Sequence, residues 1–112
     1  LGTLSSSRAV KDHIADMDAA SSALARLRPV TFYYKSDQDP AGRTLQYGLV
    51  AEEVAEVAPE LVARSADGAI ETVYYQFLPP MLLNEWQKQQ RTIATLEARV
   101  AELERTLQGE RP

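Results

Sequence analysis

Residues 93–107 read IATLEARVAELERTL, a run in which apolar side chains recur at spacings of three and four. This spacing defines a narrow stripe along one face of a helix, which is the heptad pattern of a coiled coil. Neither Gly nor Pro interrupts residues 81–107, so one long helix is predicted there. The stripe consists of Ile93, Val100 and Leu107 at a positions and of Leu96 and Leu103 at d positions.

The same register bears on how the helix associates. Carried backwards, it places Trp86 at a and Gln89 at d, and it puts Arg99 at g opposite Glu104 at e of a neighbouring helix. β-branched residues at a with leucine at d favour two strands, so the pattern supports association without fixing the number of chains. An amphipathic helix that lies on its own domain is the alternative. The seam is too short to be stable as an isolated helix.

Upstream of this helix, the chain alternates between short helical and strand patterns. Asp67-Gly68 between the last two strand patterns indicates a hairpin, and Pro79 and Pro80 suit the first turn of the long helix. The predicted fold is therefore α+β, with a small antiparallel sheet, packed helices and a long C-terminal helix. The predicted elements are a helix over about residues 16–27, strands over 30–35 and 45–49, a helix over 51–57, and strands over 61–64 and 69–74.

Composition narrows the functional classes. The chain has 112 residues, a formal net charge of −4 and no cysteine. An acidic chain without a basic stripe argues against nucleic-acid binding and against an anionic membrane surface. The lack of cysteine excludes disulfides and thiolate chemistry, and no apolar run is long enough to span a bilayer. There is no phosphate loop or dinucleotide fingerprint, and no cofactor is predicted.

One nucleophile and one base lie close together near the start of the chain, namely Ser6 and Lys11. A serine hydroxyl is a poor nucleophile until a base takes its proton, and a lysine can do so once burial lowers its pKa. The alternative for Ser5, Ser6 and Ser7 is helix capping or a flexible linker. Positions five apart point away from each other on a regular helix, so the backbone must bend between Ser6 and Lys11.

Other candidate residues have ordinary explanations. His13 is the only histidine, and its neighbouring aspartates do not have the spacing of a known metal cage, so a surface position and no metal are predicted. Glu52 and Glu53 belong to an acidic helix face, from which one carboxylate could fix Lys11. Gly48 within a strand pattern marks a bulge or a close backbone approach. Core or sheet-face positions are predicted for Tyr33, Tyr34, Tyr47, Tyr74 and Tyr75.

Several ungapped segments resemble the C-terminal intramolecular chaperone domain of phage endosialidases, tailspikes and tail fibres. SSRAVKDHI at residues 6–14 is similar to the Ser-x-x-Arg-x-Lys-x-x-Ile signature that opens that domain. The resemblance continues through LRPVTFYYK at 27–35, QYGLVAEEV at 46–54, VYY at 73–75 and LLNE at 82–85. The similarity therefore covers nearly the whole chain in order.

The resemblance implies a domain that holds three chains together while an upstream fibre or spike folds, and that then cuts itself off. Ser6 matches the family's nucleophile and Lys11 its general base, and the scissile bond would join Ser5 to Ser6. Ala9 stands where many relatives have Arg, and the adjacent Arg8 is a candidate substitute. The partners implied are two further copies of the chain and the upstream region, with no cofactor. The implied setting is a phage tail precursor assembled in the bacterial host cytoplasm.

Two alternative functions remain possible beside the one that the resemblance implies. A trimerisation module without proteolysis is one rival, and a Ser-Lys hydrolase that acts on other substrates is the other. Expected parts of the chain are a cleavage-site lead-in over residues 1–10, a globular domain over 11–78, a C-terminal oligomerisation helix over 79–108 and a frayed tail over 109–112.

Overall fold

The structure, a computed structural model, describes residues 6–39 and 43–109. Within these residues, two α-helices and four short strands are joined by 3₁₀ turns, and the long C-terminal helix has 32 residues. The regular elements, in order, are β1 (Val30–Phe32), β2 (Gln46–Gly48), α1 (Ala51–Val57), β3 (Val62–Arg64), β4 (Ile70–Val73) and α2 (Leu78–Gly109). This order confirms the predicted α+β class.

The strands form two separate antiparallel pairs rather than one small sheet. β1 pairs with β2 so that Val30 lies opposite Gly48, and β3 pairs with β4 so that Val62 lies opposite Val73. The predicted hairpin is confirmed, because Gly68 takes a left-handed φ of 91° in the turn between β3 and β4. Helix α1 follows β2 directly and lies between the two pairs along the chain.

A small apolar core lies where α1 meets the second strand pair and the start of α2. Val54 projects from α1, Val73 from β4 and Met81 from the first turns of α2. Among the described residues, the remaining buried apolar side chains are Ala58, Leu61 and Val62. Because this core is small, much of the apolar surface of the chain stays exposed in a single copy.

The segment predicted as an α-helix over residues 16–27 is instead a 3₁₀ helix, Asp18–Arg26. A 3₁₀ helix has three residues per turn, so side chains three apart lie on one face. Ser21, Leu24 and Leu27 follow that spacing; Ser21 is fully buried and the two leucines pack against the core. The apolar spacing in the sequence fits both the α-helical and the 3₁₀ period. The sequence therefore did not distinguish the two kinds of helix.

The predicted sheet-face position holds for Tyr47, whereas the other four tyrosines lie just outside the strands. Tyr74 is half-buried, whereas Tyr47 on β2 is 77% exposed. The strands are only three or four residues long, so each pair leaves much of its surface uncovered. The other exposed tyrosines are Tyr33, Tyr34 and Tyr75.

Helix α2 extends well beyond the core. Its 32 residues span about 48 Å at 1.5 Å per residue. The radius of gyration is 21.4 Å, whereas a compact domain of this length has about 13 Å. Only the first turns of α2 pack on the rest of the chain, and residues 93–107 are exposed on every side. Residues 110–112 of the predicted frayed tail lie outside the described residues.

The predicted close approach at Gly48 is confirmed. The Tyr75 hydroxyl accepts a hydrogen bond from the Leu49 amide at 3.0 Å. A Cβ on Gly48 would lie 2.8 Å from that hydroxyl oxygen and 3.3 Å from the Phe32 ring. Tyr75 therefore ties the end of β2 to the segment that leads into α2, and Gly48 leaves room for it.

We expect Gly48→Ala to destabilise the fold by about 1–3 kcal/mol, because the new methyl group collides with the Tyr75 hydroxyl. Tyr75→Phe should cost about 1 kcal/mol through the lost Leu49 hydrogen bond. In the Tyr75→Phe background, Gly48→Ala should cost less, since the colliding atom is gone. Urea unfolding of the four chains measures this coupling, and strictly additive losses would contradict it.

Candidate functional site

The cleavage-site lead-in bends between Ser6 and Lys11. Arg8–Val10 form a single 3₁₀ turn, and the Ser7 Oγ caps it by accepting a hydrogen bond from the Ala9 amide at 3.1 Å. Lys11 is already extended, with φ −116° and ψ 150°. No continuous helix therefore runs through residues 6–11. The backbone thus meets the condition that a Ser6–Lys11 dyad requires.

The two predicted catalytic side chains are both exposed in the single chain. Among the described residues, no hydrogen bond joins the Ser6 hydroxyl to the Lys11 ammonium group, and Arg8 is likewise exposed. Ser5, which supplies the carbonyl of the predicted scissile bond, lies outside the described residues. The structure thus brings the serine and the lysine onto one short bent segment without placing them in contact.

The acidic face of α1 has a different basic partner from the one predicted. Glu53 pairs with Arg28, not with Lys11: Arg28 donates from Nε to Glu53 Oε1 at 3.0 Å and from Nη2 to Oε2 at 2.6 Å. The Arg28 hydrogen bonds lower the pKa of the Glu53 carboxyl, and Glu53 in turn raises the pKa of Arg28. Glu52 is exposed. The ion pair joins the start of β1 to α1 over 25 positions of sequence.

A second polar cluster fixes the 3₁₀ helix to the base of α2, and sequence reasoning missed it. The buried Ser21 hydroxyl donates to Glu85 Oε2 at 2.5 Å and accepts from Asn84 Nδ2 at 2.7 Å. Lys88 lies 2.6 Å from the same Glu85 oxygen. Hydrogen bonds from Lys88 and Ser21 lower the pKa of Glu85. The only sequence signal was the position of Asn84 and Glu85 within the LLNE motif.

Two α2 side chains of this cluster also hold a backbone carbonyl. Asn84 Nδ2 donates to the Asp18 carbonyl oxygen at 2.9 Å, and Lys88 Nζ donates to the same oxygen at 3.2 Å. Asp18 has a left-handed φ of 48°, and His13 has a φ of 52°. His13 lies between Lys11 and the 3₁₀ helix, and Asp18 is the first residue of that helix. His13 is exposed beside Asp12, in agreement with its predicted surface position.

The lowered carboxyl pKa values predict weaker folding in acid. The folded-state pKa of Glu53 and that of Glu85 lie below their ordinary value of 4.5. The two carboxylates therefore contribute fully to the free energy of unfolding at pH values above their ordinary pKa. This contribution is lost as the pH falls through the folded-state pKa. We expect the urea midpoint to fall on acidification from neutral pH to pH ~3.

Glu53→Gln should flatten that acid dependence, because the variant no longer loses the Arg28 pair on protonation. Glu56→Gln, on the exposed side of the same helix, is the matched control. Urea midpoints at neutral and acid pH measure both. Equal acid sensitivity of wild type and Glu53→Gln would contradict the assignment.

The predicted heptad stripe on α2 is solvent-exposed along its whole length. Exposure ranges from 46% at Ile93 to 63% at Leu103. Leu82, seven residues before Gln89 and therefore also at d, borders an open apolar groove of about 650 Å³ at the base of the helix. The five members of the stripe are about half exposed or more, as is Trp86 at the a position that precedes them.

Within residues 6–39 and 43–109, no cluster of three His, Asp or Glu side chains is arranged to hold a metal ion. None of the helices in this described part is both long and apolar enough to cross a membrane.

Comparison with known proteins places the chain in a family. The family model described as chaperone of endosialidase, which is named as a peptidase family, matches residues 6–63. That stretch is just over half of the chain; it begins at Ser6 and ends in β3, so α2 lies beyond it. A search of curated proteins finds no match. The chain belongs to the chaperone of endosialidase family.

Proposed function

We propose that this domain holds three copies of its polypeptide together while an upstream fibre or spike region folds, and then releases itself by cutting the bond before Ser6. Membership of the chaperone of endosialidase family supports the intramolecular chaperone role. The observation that carries the proposal is that the family match begins at Ser6, the residue that the family resemblance assigns as the nucleophile.

The proposed cleavage uses two side chains and one water molecule. Lys11 Nζ, in its neutral form, takes the proton of the Ser6 hydroxyl, and Ser6 Oγ attacks the carbonyl carbon of Ser5. The Ser5–Ser6 C–N bond breaks as an ester forms on Ser6 Oγ, and the released Ser6 amine takes the proton. Water then hydrolyses the ester, which leaves a carboxylate on Ser5. Because the substrate is covalently attached, proximity supplies much of the rate.

Two features of the lead-in support Ser6 over its neighbour. The Ser7 hydroxyl is engaged as the cap of the 3₁₀ turn, whereas Ser6 forms no hydrogen bond within the described residues. The bend at Arg8–Val10 is the local condition that a Ser6–Lys11 contact needs. The two side chains are exposed in one copy, so the proposal requires assembly to enclose them and exclude water.

The stripe on α2 supports association of chains. A soluble helix rarely leaves six large apolar side chains unpartnered along one face. Their a/d spacing fits a coiled coil better than packing on a flat domain surface. Three chains, rather than two, follow from the family resemblance. On the same basis we propose that the domain is made as part of a phage tail precursor in the host cytoplasm and is released after maturation.

The proposal is tested by the intact mass of the 112-residue chain after refolding from denaturant. Cleavage as proposed removes residues 1–5 and leaves a chain that begins at Ser6. A chain that forms trimers and keeps its full mass would favour the non-proteolytic trimerisation module. Turnover of an added peptide with the sequence of residues 1–11 would favour a hydrolase acting in trans.

A further inference from the structure

Asp18 is the first residue of the 3₁₀ helix and directly follows the cleavage-site segment, residues 6–17, of which Met17 packs against the core. Asp18 has a left-handed φ of 48°, a region that few residues other than Gly, Asn and Asp adopt. Its carbonyl oxygen receives two hydrogen bonds, from Asn84 Nδ2 and Lys88 Nζ. These hydrogen bonds tie Asp18 to α2, more than sixty positions away in sequence.

The cluster that supports these two donors is itself well anchored. Asn84 also donates to the buried Ser21 hydroxyl at 2.7 Å, and Lys88 is held by Glu85 at 2.6 Å. Ser21 donates back to Glu85. Side chains that are fixed on both sides can hold a left-handed turn in one geometry. Residues 15–18 also border the same side of α2, beside Asn84.

The cluster lies outside the apolar stripe of α2. In the heptad register, Asn84 falls at f, Glu85 at g and Lys88 at c, whereas the stripe occupies a and d. The buried Met81 also falls at c, seven residues before Lys88. One helix can therefore contact neighbouring helices along the stripe while residues outside the stripe hold the turn at Asp18.

We propose that Asn84 and Lys88 are positioning residues for self-cleavage, which hold the Asp18 carbonyl and so fix where the segment with Ser6 and Lys11 leaves α2. The inference rests on the proposed self-cleavage and deepens it. In an assembled chain, the helix that joins the copies would also set the location of the cleavage site. Loss of either donor frees the Asp18 turn, and the cleavage segment then samples positions in which the site is not completed.

The experiment measures the first-order rate of cleavage by intact mass while the full chain refolds, together with the oligomeric mass at each time. Asn84→Leu and Lys88→Met should each slow cleavage by about tenfold or more per assembled chain, because small displacements of reacting groups are costly. Lys88→Arg should recover most of the rate, since it keeps a donor near the Asp18 carbonyl. Arg105→Met removes an exposed cation near the far end of α2 and should cleave like wild type.

A second pair of variants tests the turn without altering α2. Asp18→Asn should cleave at the wild-type rate, because asparagine tolerates the left-handed region, whereas Asp18→Val should be slow, because β-branched residues do not. Wild-type rates in Asn84→Leu, Lys88→Met and Asp18→Val would overturn the positioning role. The positioning role would also be overturned if the cleavage rate falls only in proportion to the amount of assembled protein. If the wild type itself stays uncut, the proposed self-cleavage fails instead.

Discussion

Ser6→Ala should keep the full mass of all 112 residues under conditions in which the wild type loses residues 1–5. The alanine has no hydroxyl to attack the Ser5 carbonyl, so the rate should fall on the order of a thousandfold or more. Assembly should be unchanged, because Ser6 is exposed and far from α2 in the sequence. Intact mass with N-terminal sequencing, alongside light scattering, separates these two outcomes.

Lys11→Met should have an effect of the same order, because it keeps most of the aliphatic length of the side chain and removes the base. Three controls isolate the dyad. Ser7→Ala removes the hydroxyl that caps the 3₁₀ turn, and Ser36→Ala and Lys35→Met change an exposed serine and an exposed lysine elsewhere. We expect all three controls to be cut.

Two results would contradict the assignment. Undiminished cleavage in Ser6→Ala would exclude Ser6 as the nucleophile, and loss of cleavage in Ser7→Ala but not in Ser6→Ala would move the role to Ser7. A new N-terminus at a residue other than Ser6 would show that the bond was placed wrongly.

The second large effect is expected on assembly. Leu96→Glu combined with Leu103→Glu places two carboxylates in the d layers of the stripe and should prevent stable trimers at micromolar concentration. Burial of a leucine side chain contributes about 1.5–3 kcal/mol, so two losses per chain weaken association by more than a hundredfold, since about 1.4 kcal/mol is a factor of ten. Sedimentation equilibrium measures the change.

The control carries the same charge on another face of α2. Ala94→Glu combined with Ala101→Glu adds two carboxylates at b positions, which are exposed and outside the stripe. This variant should assemble like wild type. If both double variants assemble equally well, the stripe is not the interface. If neither assembles, charge or helix stability rather than the stripe explains the loss.

The two predictions together separate assembly from cutting. Ser6→Ala should assemble without cutting. Leu96→Glu with Leu103→Glu should cut slowly, because the proposal requires assembly to enclose Ser6 and Lys11. Rapid cleavage of the monomeric double variant would show that a single chain completes its own site.

Local sequence patterns were sufficient for most elements of the fold. The Asp67-Gly68 turn, the helix over residues 51–57 and the uninterrupted run into α2 each depend on neighbouring residues alone, and the structure confirms each of them. The close approach at Gly48 was also indicated, although its partner, Tyr75, was not. The backbone preferences of neighbouring residues act over a few positions, and they are sufficient to form these turns and helices.

Features that depend on distant partners were missed or wrong. The helix over residues 16–27 proved to be 3₁₀, because its three-residue repeat faces Asn84 and Glu85 of α2. Glu53 was one of the carboxylates predicted as a partner of Lys11, but it binds Arg28 instead. In each case several carboxylates or apolar residues were equivalent by sequence, and only the folded geometry selected one partner.

The sequence by itself determined the α+β class, the long helix with its apolar stripe, and the family motif that contains Ser6 and Lys11. Periodicity, turn residues and ungapped motifs are properties of neighbouring positions, so they can be read without coordinates. Tertiary structure alone decided that Asn84 and Lys88 of α2 hold the Asp18 carbonyl. These residues are more than sixty positions from Asp18, and only the packing of α2 against the 3₁₀ helix brings them together. The bend at Arg8–Val10 is local, since its hydrogen bonds join residues 7–11, but the sequence did not specify it.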